Sequence, residues 1–290
     1  MKLSEFYSAG AFGLSFELFP PKSEAGEEEL FRNLEELVAF EPSYITCTYG
    51  AGGSTRQKTL EIVERVRQRF GCPVASHLTC VGSTADELRS YLRDAQQRGI
   101  EHIVALRGAP PRGQTQFQAV AGGLRYASEL VSLIRGEFPA FGVAVAGYPE
   151  THIEALSPEA DLENLKRKID AGGDIVITQL FYINEDFFRF REDCDRLGIR
   201  APIVPGILPV TNLAQIRRIT SLCGAKLPPE FVASLERQEG RPEDQFEVGV
   251  EFATRQTQEL IDAGVPGLHF YVLNKSHATA RVLRTVTRPV

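Results

Sequence analysis

The sequence predicts an α/β fold, a single (β/α)8 barrel of eight parallel strands, each followed by a helix. Short apolar segments alternate with amphipathic segments of helical period along the 290 residues, a pattern typical of a parallel sheet covered by helices. Eight such units in this length favour a closed barrel, so one barrel domain is expected over residues 1–290. An open doubly wound sheet is the alternative, but no predicted strand is followed by Gly-x-Gly-x-x-Gly.

The first predicted strand begins at Gly13 and ends at the pair Pro20-Pro21. The other strands are predicted over residues 42–49, 73–79, 102–106, 141–146, 174–180, 202–207 and 267–272. Apolar residues at helical spacing predict helices over residues 24–40, 55–70, 83–98, 123–135, 157–171, 184–197, 212–223, 229–237 and 244–263. A turn is predicted over residues 50–54, and a last helix near Ser276.

Composition excludes several classes of function. The net charge is −6, and the basic residues are spread among acidic ones, so no nucleic-acid partner is expected. No apolar run is long enough to span a membrane. The five cysteines form no Cys-x-x-Cys pair and no metal-ligand spacing, which predicts reduced thiols, a cytoplasmic location and no metal site.

Glu17 is a single carboxylate in an otherwise apolar and aromatic strand. Burial raises the pKa of a carboxyl group, and a carboxylic acid that stays protonated near pH 7 can act as a general acid. The alternative is a carboxylate at a strand edge, satisfied by water or by a neighbouring arginine.

Polar side chains fall at the C-terminal ends of several other predicted strands, where barrel enzymes place their active sites. These side chains are Thr48, His77, Arg107, Tyr148 and Gln179. Each alone has a structural explanation; His77, for example, fits a hydrogen-bonded core histidine. Together they favour a site with one acid, neutral hydrogen-bonding groups and aromatic rings, which suits a large planar ligand better than metal hydrolysis or covalent proteolysis.

Eight short motifs along the chain carry a resemblance to a known family. They are Ser15-Phe16-Glu17, Thr48 to Ser54, His77-Leu78-Thr79, Ala105 to Gly108, Tyr148-Pro149-Glu150, Ile177-Thr178-Gln179, Pro205 to Pro209 and His269-Phe270-Tyr271. In this order they resemble the bacterial 5,10-methylenetetrahydrofolate reductases, from about Leu14 to Lys275. The resemblance implies a flavin-bearing (β/α)8 barrel of one-carbon metabolism, built from identical chains. It also implies ping-pong hydride transfer from NADH or NADPH to FAD, and then to methylenetetrahydrofolate to give 5-methyltetrahydrofolate.

The resemblance also implies roles for individual residues. Glu17 matches the general acid that protonates the folate. Positions expected to contact the folate or line its site are Gln179, Gln215, Ile219, Tyr271 and Lys275. Positions expected to contact FAD are Thr48, His77, Arg107, Gly108, Ala109, Tyr126, Ala127, Tyr148, His152, Asp161, Asn164, Arg167 and Lys168.

Two positions depart from the family pattern. Ala109 stands where the family usually has an aspartate beside the flavin, and Ile219 where it often has a phenylalanine. These departures keep open a flavin-independent reductase, although the other FAD positions favour a flavoprotein. A barrel that serves as a non-catalytic subunit is a further alternative, against which Glu17 and Gln179 argue.

Overall fold

Parallel strand segments form the centre of the computed structural model, which describes residues 2–48, 56–109 and 117–289. The segments are β1 (Gly13–Leu18), β2 (Tyr44–Cys47), β3 (Val74–Thr79), β4 (His102–Leu106), β5 (Gly142–Gly147), β6 (Ile175–Thr178), β7 (Ile203–Val204), β8 (Gly206–Ile207) and β9 (Gly267–Tyr271). They lie in one sheet in the order β7-β6-β5-β4-β3-β2-β1-β9-β8.

The sheet closes on itself through β7 and β8, which are two halves of the single predicted strand at residues 202–207. Pro205 separates the halves because it has no N–H to donate to the strand ladder. β7 pairs with β6 and β8 pairs with β9, and the Pro205 carbonyl accepts a bond from the His269 amide at 3.0 Å. The closed barrel predicted from the sequence is therefore confirmed, and the open sheet is rejected.

Helices follow the strands and cover the barrel. They are α1 (Glu24–Val38), α2 (Arg56–Phe70), α3 (Ala85–Gln97), α4 (Ala127–Glu137), α5 (Pro158–Asp170), α6 (Asn184–Arg196), α7 (Leu213–Cys223), α8 (Pro229–Glu236), α9 (Pro242–Asp262) and α10 (His277–Thr285). Side-chain caps fix several helix starts, because Ser23, Thr84, Ser157 and Asn212 each accept a backbone N–H of the first turn.

Helix α4 begins four residues later than predicted. Gly123, the predicted start, instead forms a bridge with Thr84, and a Cβ atom at Gly123 would lie 2.6 Å from the Ser83 carbonyl oxygen. This close approach of two backbones needs a glycine in an extended segment, so the helix starts only at Ala127. The end of the second predicted strand at Tyr49, the turn at residues 50–54 and the predicted helix start at Thr55 lie outside the described residues.

Strand residues alternate between two apolar layers. One set faces the surrounding helices, and the other fills the barrel interior together with a short 3-10 helix, Leu3–Tyr7. At one level of the interior the hydroxyl groups of Tyr7 and Tyr44 are 2.7 Å apart. Above this level, towards the C-terminal ends of the strands, the interior becomes polar and buries the side chains of Ser15, Glu17, Thr46, His77 and His269.

The predicted absences can be compared with the described part of the chain. There, no helix combines the length and apolar character needed to cross a bilayer. The same residues contain no group of three His, Cys, Asp or Glu side chains placed to hold a metal ion. All five cysteines are free thiols, and four of them are buried.

Candidate active site

Glu17 projects from β1 into the barrel interior, where its side chain is 11% exposed. Its carboxylate oxygen Oε2 lies 3.2 Å from Nε2 of His77 and 3.4 Å from Nε2 of His269. The His269 contact is aligned as a hydrogen bond, whereas the His77 contact is a close approach without hydrogen-bond alignment. Two imidazoles from β3 and β9 therefore hold one carboxylate.

These partners change the charge state expected for Glu17. Burial by itself raises the pKa of the carboxyl group, but the attraction of His77 and the hydrogen bond from His269 outweigh it and lower the pKa to about 2. The prediction that burial keeps Glu17 protonated is therefore wrong for the ligand-free protein. Among the described residues the partners of Glu17 are histidines, and the arginine expected in the alternative is not found beside it.

Tyr271 lies beside Glu17 and extends across the barrel mouth. The register of β1 and β9 places Tyr271 opposite Glu17, and its ring packs edge-on against His269 at 5.1 Å. Its hydroxyl donates a hydrogen bond to the Thr178 carbonyl of β6 at 2.7 Å. The ring passes so close to Gly206 that a Cβ there would lie 2.7 Å from Tyr271 Cε2.

Gln179 follows directly after β6 and is half-buried. Its side-chain oxygen accepts a bond from the next backbone amide, Leu180 N, at 2.9 Å. The amide group therefore stands next to Thr178, the hydrogen-bond partner of Tyr271. This placement brings Glu17, Tyr271 and Gln179 towards one mouth of the barrel.

A cavity of about 660 Å³ opens beside the mouth between β4, β5, α4 and α5. Its size is typical of a site for a large organic ligand. The cavity collects nine of the thirteen positions that the sequence suggested for FAD: Arg107, Tyr126, Ala127, Tyr148, His152, Asp161, Asn164, Arg167 and Lys168.

The cavity is lined by three basic side chains, Arg107, Arg167 and Lys168, and by three acidic ones, Glu154, Asp161 and Glu163. Lys168 is half-buried, with its ammonium group 2.5 Å from the Ala146 carbonyl and 5.7 Å from the Tyr148 ring centre. Burial lowers the pKa of Lys168 to about 8, against the opposing effect of Asp161. A buried ammonium group with a lowered pKa gains stability from a bound anion. Arg167, the residue directly before Lys168, is exposed.

Two side chains of the cavity wall organise its loop. The Asp161 carboxylate accepts the His152 amide at 2.9 Å, and the His152 ring packs edge-on against Tyr148 at 4.6 Å. Burial lowers the pKa of His152, with the charge of Arg107 acting in the same direction. A neutral imidazole beside an aromatic ring suits contact with an uncharged part of a ligand.

The remaining four FAD positions, Thr48, His77, Gly108 and Ala109, lie together with Arg107 near the C-terminal ends of β2 to β4. Arg107 forms an ion pair with Glu154 at 2.7 Å, and Gly108 has a φ of +89° that favours glycine. Ala109 is exposed, and Thr48 is half-buried with its carbonyl bonded to Thr59. His77 lies in the barrel against Glu17, and its Nδ1 atom is buried without a partner among the described residues.

The folate positions divide between two surfaces. Gln215, Tyr271 and Lys275 line a second cavity of about 680 Å³, which runs outward from the mouth between α1, α7 and α10. Ile219 does not line this cavity but packs against an apolar cluster that includes Leu208 and Leu213. The structure therefore brings three of the five positions into one groove, leaves Gln179 at the mouth and places Ile219 at an apolar surface.

Comparison with known proteins identifies the family of the chain. A model of the methylenetetrahydrofolate reductase family matches residues 2–287. The chain belongs to this family. It is 38% identical to the 5,10-methylenetetrahydrofolate reductase of Escherichia coli strain K12 over 277 residues, which covers 96% of this chain and 91% of that protein.

Two further proteins extend the comparison. The maize protein named methylenetetrahydrofolate reductase (NADH) 1 is 39% identical over 97% of this chain, and the chain spans about half the length, 49%, of that relative. A Clostridium thermocellum protein described as binding two copies of 5-methyl-5,6,7,8-tetrahydrofolic acid has the same fold, with a TM-score of 0.62 and 15% identity. The alignment with it covers 97% of this chain and 96% of that one.

Two buried residues of the site were not predicted from the sequence. His269 and Ser15 stand in the recognised motifs, but neither was given a role there. The signal was present, because Ser15 alternates with Glu17 and His269 alternates with Tyr271, so each pair shares one strand face. A search for polar residues at every second position of the first and last strands would have placed Ser15, Glu17, His269 and Tyr271 together in the barrel interior.

Proposed function

We propose that this protein reduces 5,10-methylenetetrahydrofolate to 5-methyltetrahydrofolate, with FAD as its cofactor and NADH or NADPH as its hydride donor. The observation that carries this proposal is the buried Glu17 carboxylate, held by two imidazoles and paired in register with Tyr271, which lines one of two ligand-sized cavities. Membership of the family supplies the reaction class. A proton donor beside a large cofactor site is what reductive opening of the methylene bridge requires.

The residues of the first cavity fit the parts of FAD. The buried Lys168 ammonium group and Arg167 offer positive charge for a diphosphate, while Tyr148 and His152 offer an aromatic wall. His77 offers an unpartnered buried nitrogen towards the mouth. When bound, FAD supplies the two-electron hydride chemistry that links the nicotinamide to the folate, one after the other.

In this proposal Glu17 delivers a proton to the folate nitrogen that leaves the methylene carbon as the five-membered ring opens to an iminium. The new N–H bond forms as the C–N bond breaks, and Glu17 returns to a carboxylate. Gln179 hydrogen-bonds the pterin, and Gln215, Tyr271 and Lys275 bind the rest of the folate along the second cavity. Assembly from identical chains and a cytoplasmic location remain predictions.

The visible spectrum of the purified protein provides the first test. We expect flavin absorbance that bleaches on anaerobic addition of NADH or NADPH and recovers on addition of methylenetetrahydrofolate. A folate-dependent oxidation of NADH without any flavin would instead indicate the flavin-independent reductase. Bound flavin that NADH does not bleach would indicate a non-catalytic barrel.

Substitution of Glu17 tests the role of the acid. Glu17→Gln should slow the folate half-reaction by about 10²-fold or more, the usual contribution of a general acid, and leave flavin reduction by NADH close to wild type. Glu27→Gln is the matched control, because Glu27 is a carboxylate of similar exposure on α1 that pairs with Lys58 at 2.5 Å. Folate reduction at the wild-type rate in Glu17→Gln would refute the role of the acid.

A further inference from the structure

The proton that Glu17 donates must reach it from another group, since the carboxylate is ionised in the ligand-free protein. His269 is the neighbour best placed to supply it. The imidazole is fully buried, and its Nε2 atom is hydrogen-bonded to Glu17 Oε2 at 3.4 Å. Its other nitrogen, Nδ1, lies 2.8 Å from the Ser15 hydroxyl oxygen, which is also fully buried.

We propose that Ser15 and His269 are positioning residues that hold and orient the proton passed to Glu17, forming a buried Ser15–His269–Glu17 relay. This inference rests on the proposed function of Glu17. The register of the barrel builds the relay, because Ser15 pairs with His269 and Glu17 pairs with Tyr271 across the β1–β9 seam. Three side chains of two adjacent strands therefore stand in line along the barrel interior.

The serine hydroxyl suits this task because it can both donate and accept. When His269 is neutral with its proton on Nε2, Ser15 donates to Nδ1 at 2.8 Å. When His269 is cationic, Ser15 accepts from Nδ1–H and turns its own proton towards the Leu268 carbonyl, 3.5 Å away. The hydrogen bond to Nδ1 is thus retained in the cation and in either neutral tautomer, including the Nδ1–H tautomer that is left when Nε2 gives up its proton. Ser15 therefore holds the ring in place throughout the transfer.

The proton balance of the relay is complete. A proton moves from Nε2 of cationic His269 to Oε2 of Glu17, and from Glu17 to the folate nitrogen as its bond to carbon breaks. His269 becomes neutral and Glu17 remains a carboxylate at the end of the step. The overall reduction consumes one proton for each hydride transferred, and in this proposal the proton returns to the imidazole through Glu17, the one member of the relay that keeps some exposure, 8%.

Several other ionisable groups face the relay and belong in any analysis of its pH dependence. They come from each neighbouring element of the interior: Tyr44 of β2, His77 of β3, Tyr271 of β9 and Tyr7 of the 3-10 helix. Burial raises the pKa of Tyr44 to about 12 and that of Tyr7 and Tyr271 well above the ordinary value. The tyrosines therefore stay neutral between pH 5 and 9, and His77 is the other imidazole that approaches Glu17 among the described residues.

The experiment compares the two half-reactions of the FAD-loaded protein in Ser15→Ala and His269→Gln. The glutamine keeps a donor near Glu17 but cannot be protonated. We expect flavin reduction by NADH within about twofold of wild type. The folate half-reaction should slow by about tenfold in Ser15→Ala and by about 10²-fold in His269→Gln, and its pH profile should shift.

Ser76→Ala is the matched control. Ser76 is a fully buried serine on β3 whose hydroxyl is 2.6 Å from the Tyr91 hydroxyl on the helix side of the sheet. This variant loses a comparable buried hydrogen bond away from Glu17. It should keep the wild-type rate and pH profile in both half-reactions.

A second measurement does not depend on activity. The protein has five histidines, and labelling them with ¹⁵N makes each imidazole nitrogen observable by NMR. The resonances of His269 are assigned as those that disappear in the spectrum of His269→Gln. Ser15→Ala should shift the Nδ1 resonance of His269. Ser76→Ala should leave that resonance unchanged.

The outcomes separate this inference from the proposed function. If wild-type protein is not bleached by NADH or does not recover with folate, the proposed function fails. If wild type performs both half-reactions but the two relay variants keep its folate rate and pH profile, only the relay is overturned. Equal slowing of both half-reactions would also overturn the relay, since it would indicate general structural damage.

Discussion

The lowered pKa of Lys168 leads to a quantitative prediction for cofactor binding. The ammonium group has a pKa of about 8 in the ligand-free protein, against an ordinary value of 10.5. A diphosphate bound beside it favours the charged form and should return the pKa to at least the ordinary value. Binding affinity then depends on pH, because the bound state holds the proton more tightly than the free state.

The sign and size of the effect follow from these two pKa values. The contribution of Lys168 to FAD affinity is fully present below pH 8 and is lost as the pH rises through 8 towards 10.5. At pH 9 about nine-tenths of the free protein has lost the proton, so the dissociation constant for FAD should be about tenfold higher than at pH 7.

Titration of the apoprotein with FAD at pH 7, 8 and 9, followed by flavin fluorescence, measures this dependence. Lys168→Met should bind FAD more weakly at pH 7 and lack the loss between pH 8 and 9. Lys166→Met is the matched control, because Lys166 lies on the same helix but pairs with Asp170 at 2.6 Å. A tenfold loss that persists in Lys168→Met, or a wild-type affinity that is constant to pH 9, would refute the reasoning.

Three further predictions address stability, redox potential and geometry. Burial lowers the pKa of His102 from 6.5 to about 4, so wild type should lose about 2 kcal/mol of unfolding free energy between pH 7 and pH 5 through this group. His102→Gln should remove that loss in urea titrations, and His277→Gln, at an exposed histidine, should not. Ala109→Asp should lower the flavin midpoint potential by on the order of 30 mV, because the new carboxylate would repel the anionic reduced flavin by about 1.4 kcal/mol. An unchanged or higher potential in a spectroelectrochemical titration rejects this. Gly206→Ala should raise KM for the folate at least severalfold, because the new methyl group would overlap the Thr178 carbonyl oxygen, would lie 2.7 Å from Tyr271 Cε2 and would displace both partners of the Tyr271–Thr178 hydrogen bond; an unchanged KM would contradict it.

The sequence allowed the barrel to be predicted because alternation of apolar strands and amphipathic helices is a local property. The break at Pro205 and the late start of α4 were not predicted, since both depend on what another part of the chain requires. Gly123 packs against the Ser83 backbone, and no local pattern around Gly123 shows that contact. Strand boundaries near Tyr49 lie outside the described residues.

The location of the candidate site could be predicted from the sequence, but the direction of the pKa shift of Glu17 could not. The apolar context of Glu17 correctly indicated burial, and burial alone indicates a raised pKa. The lowered pKa depends first on His77 of β3 and then on His269. His269 is 252 residues away in the sequence and reaches Glu17 through the pairing of the first and last strands. Such a partner can be inferred only when strand register is known, so the sign of the shift could not be obtained from local sequence.

The order of strands separates the proton relay from the anion site. Three strands separate β1 from β5 in one direction around the barrel, namely β2, β3 and β4. In the other direction they are separated by β9, by the strand made of β7 and β8, and by β6. β1 and β5 therefore face each other across the barrel. A ligand that contacts both Glu17 and the α5 residues after β5 must therefore lie across the mouth. An elongated cofactor with a reactive ring at one end and a diphosphate further along meets this requirement, while a compact ligand does not. Because the relay side chains belong to β1 and β9 and Lys168 belongs to α5, the half-reaction rates and the FAD affinity measure two separate parts of one site.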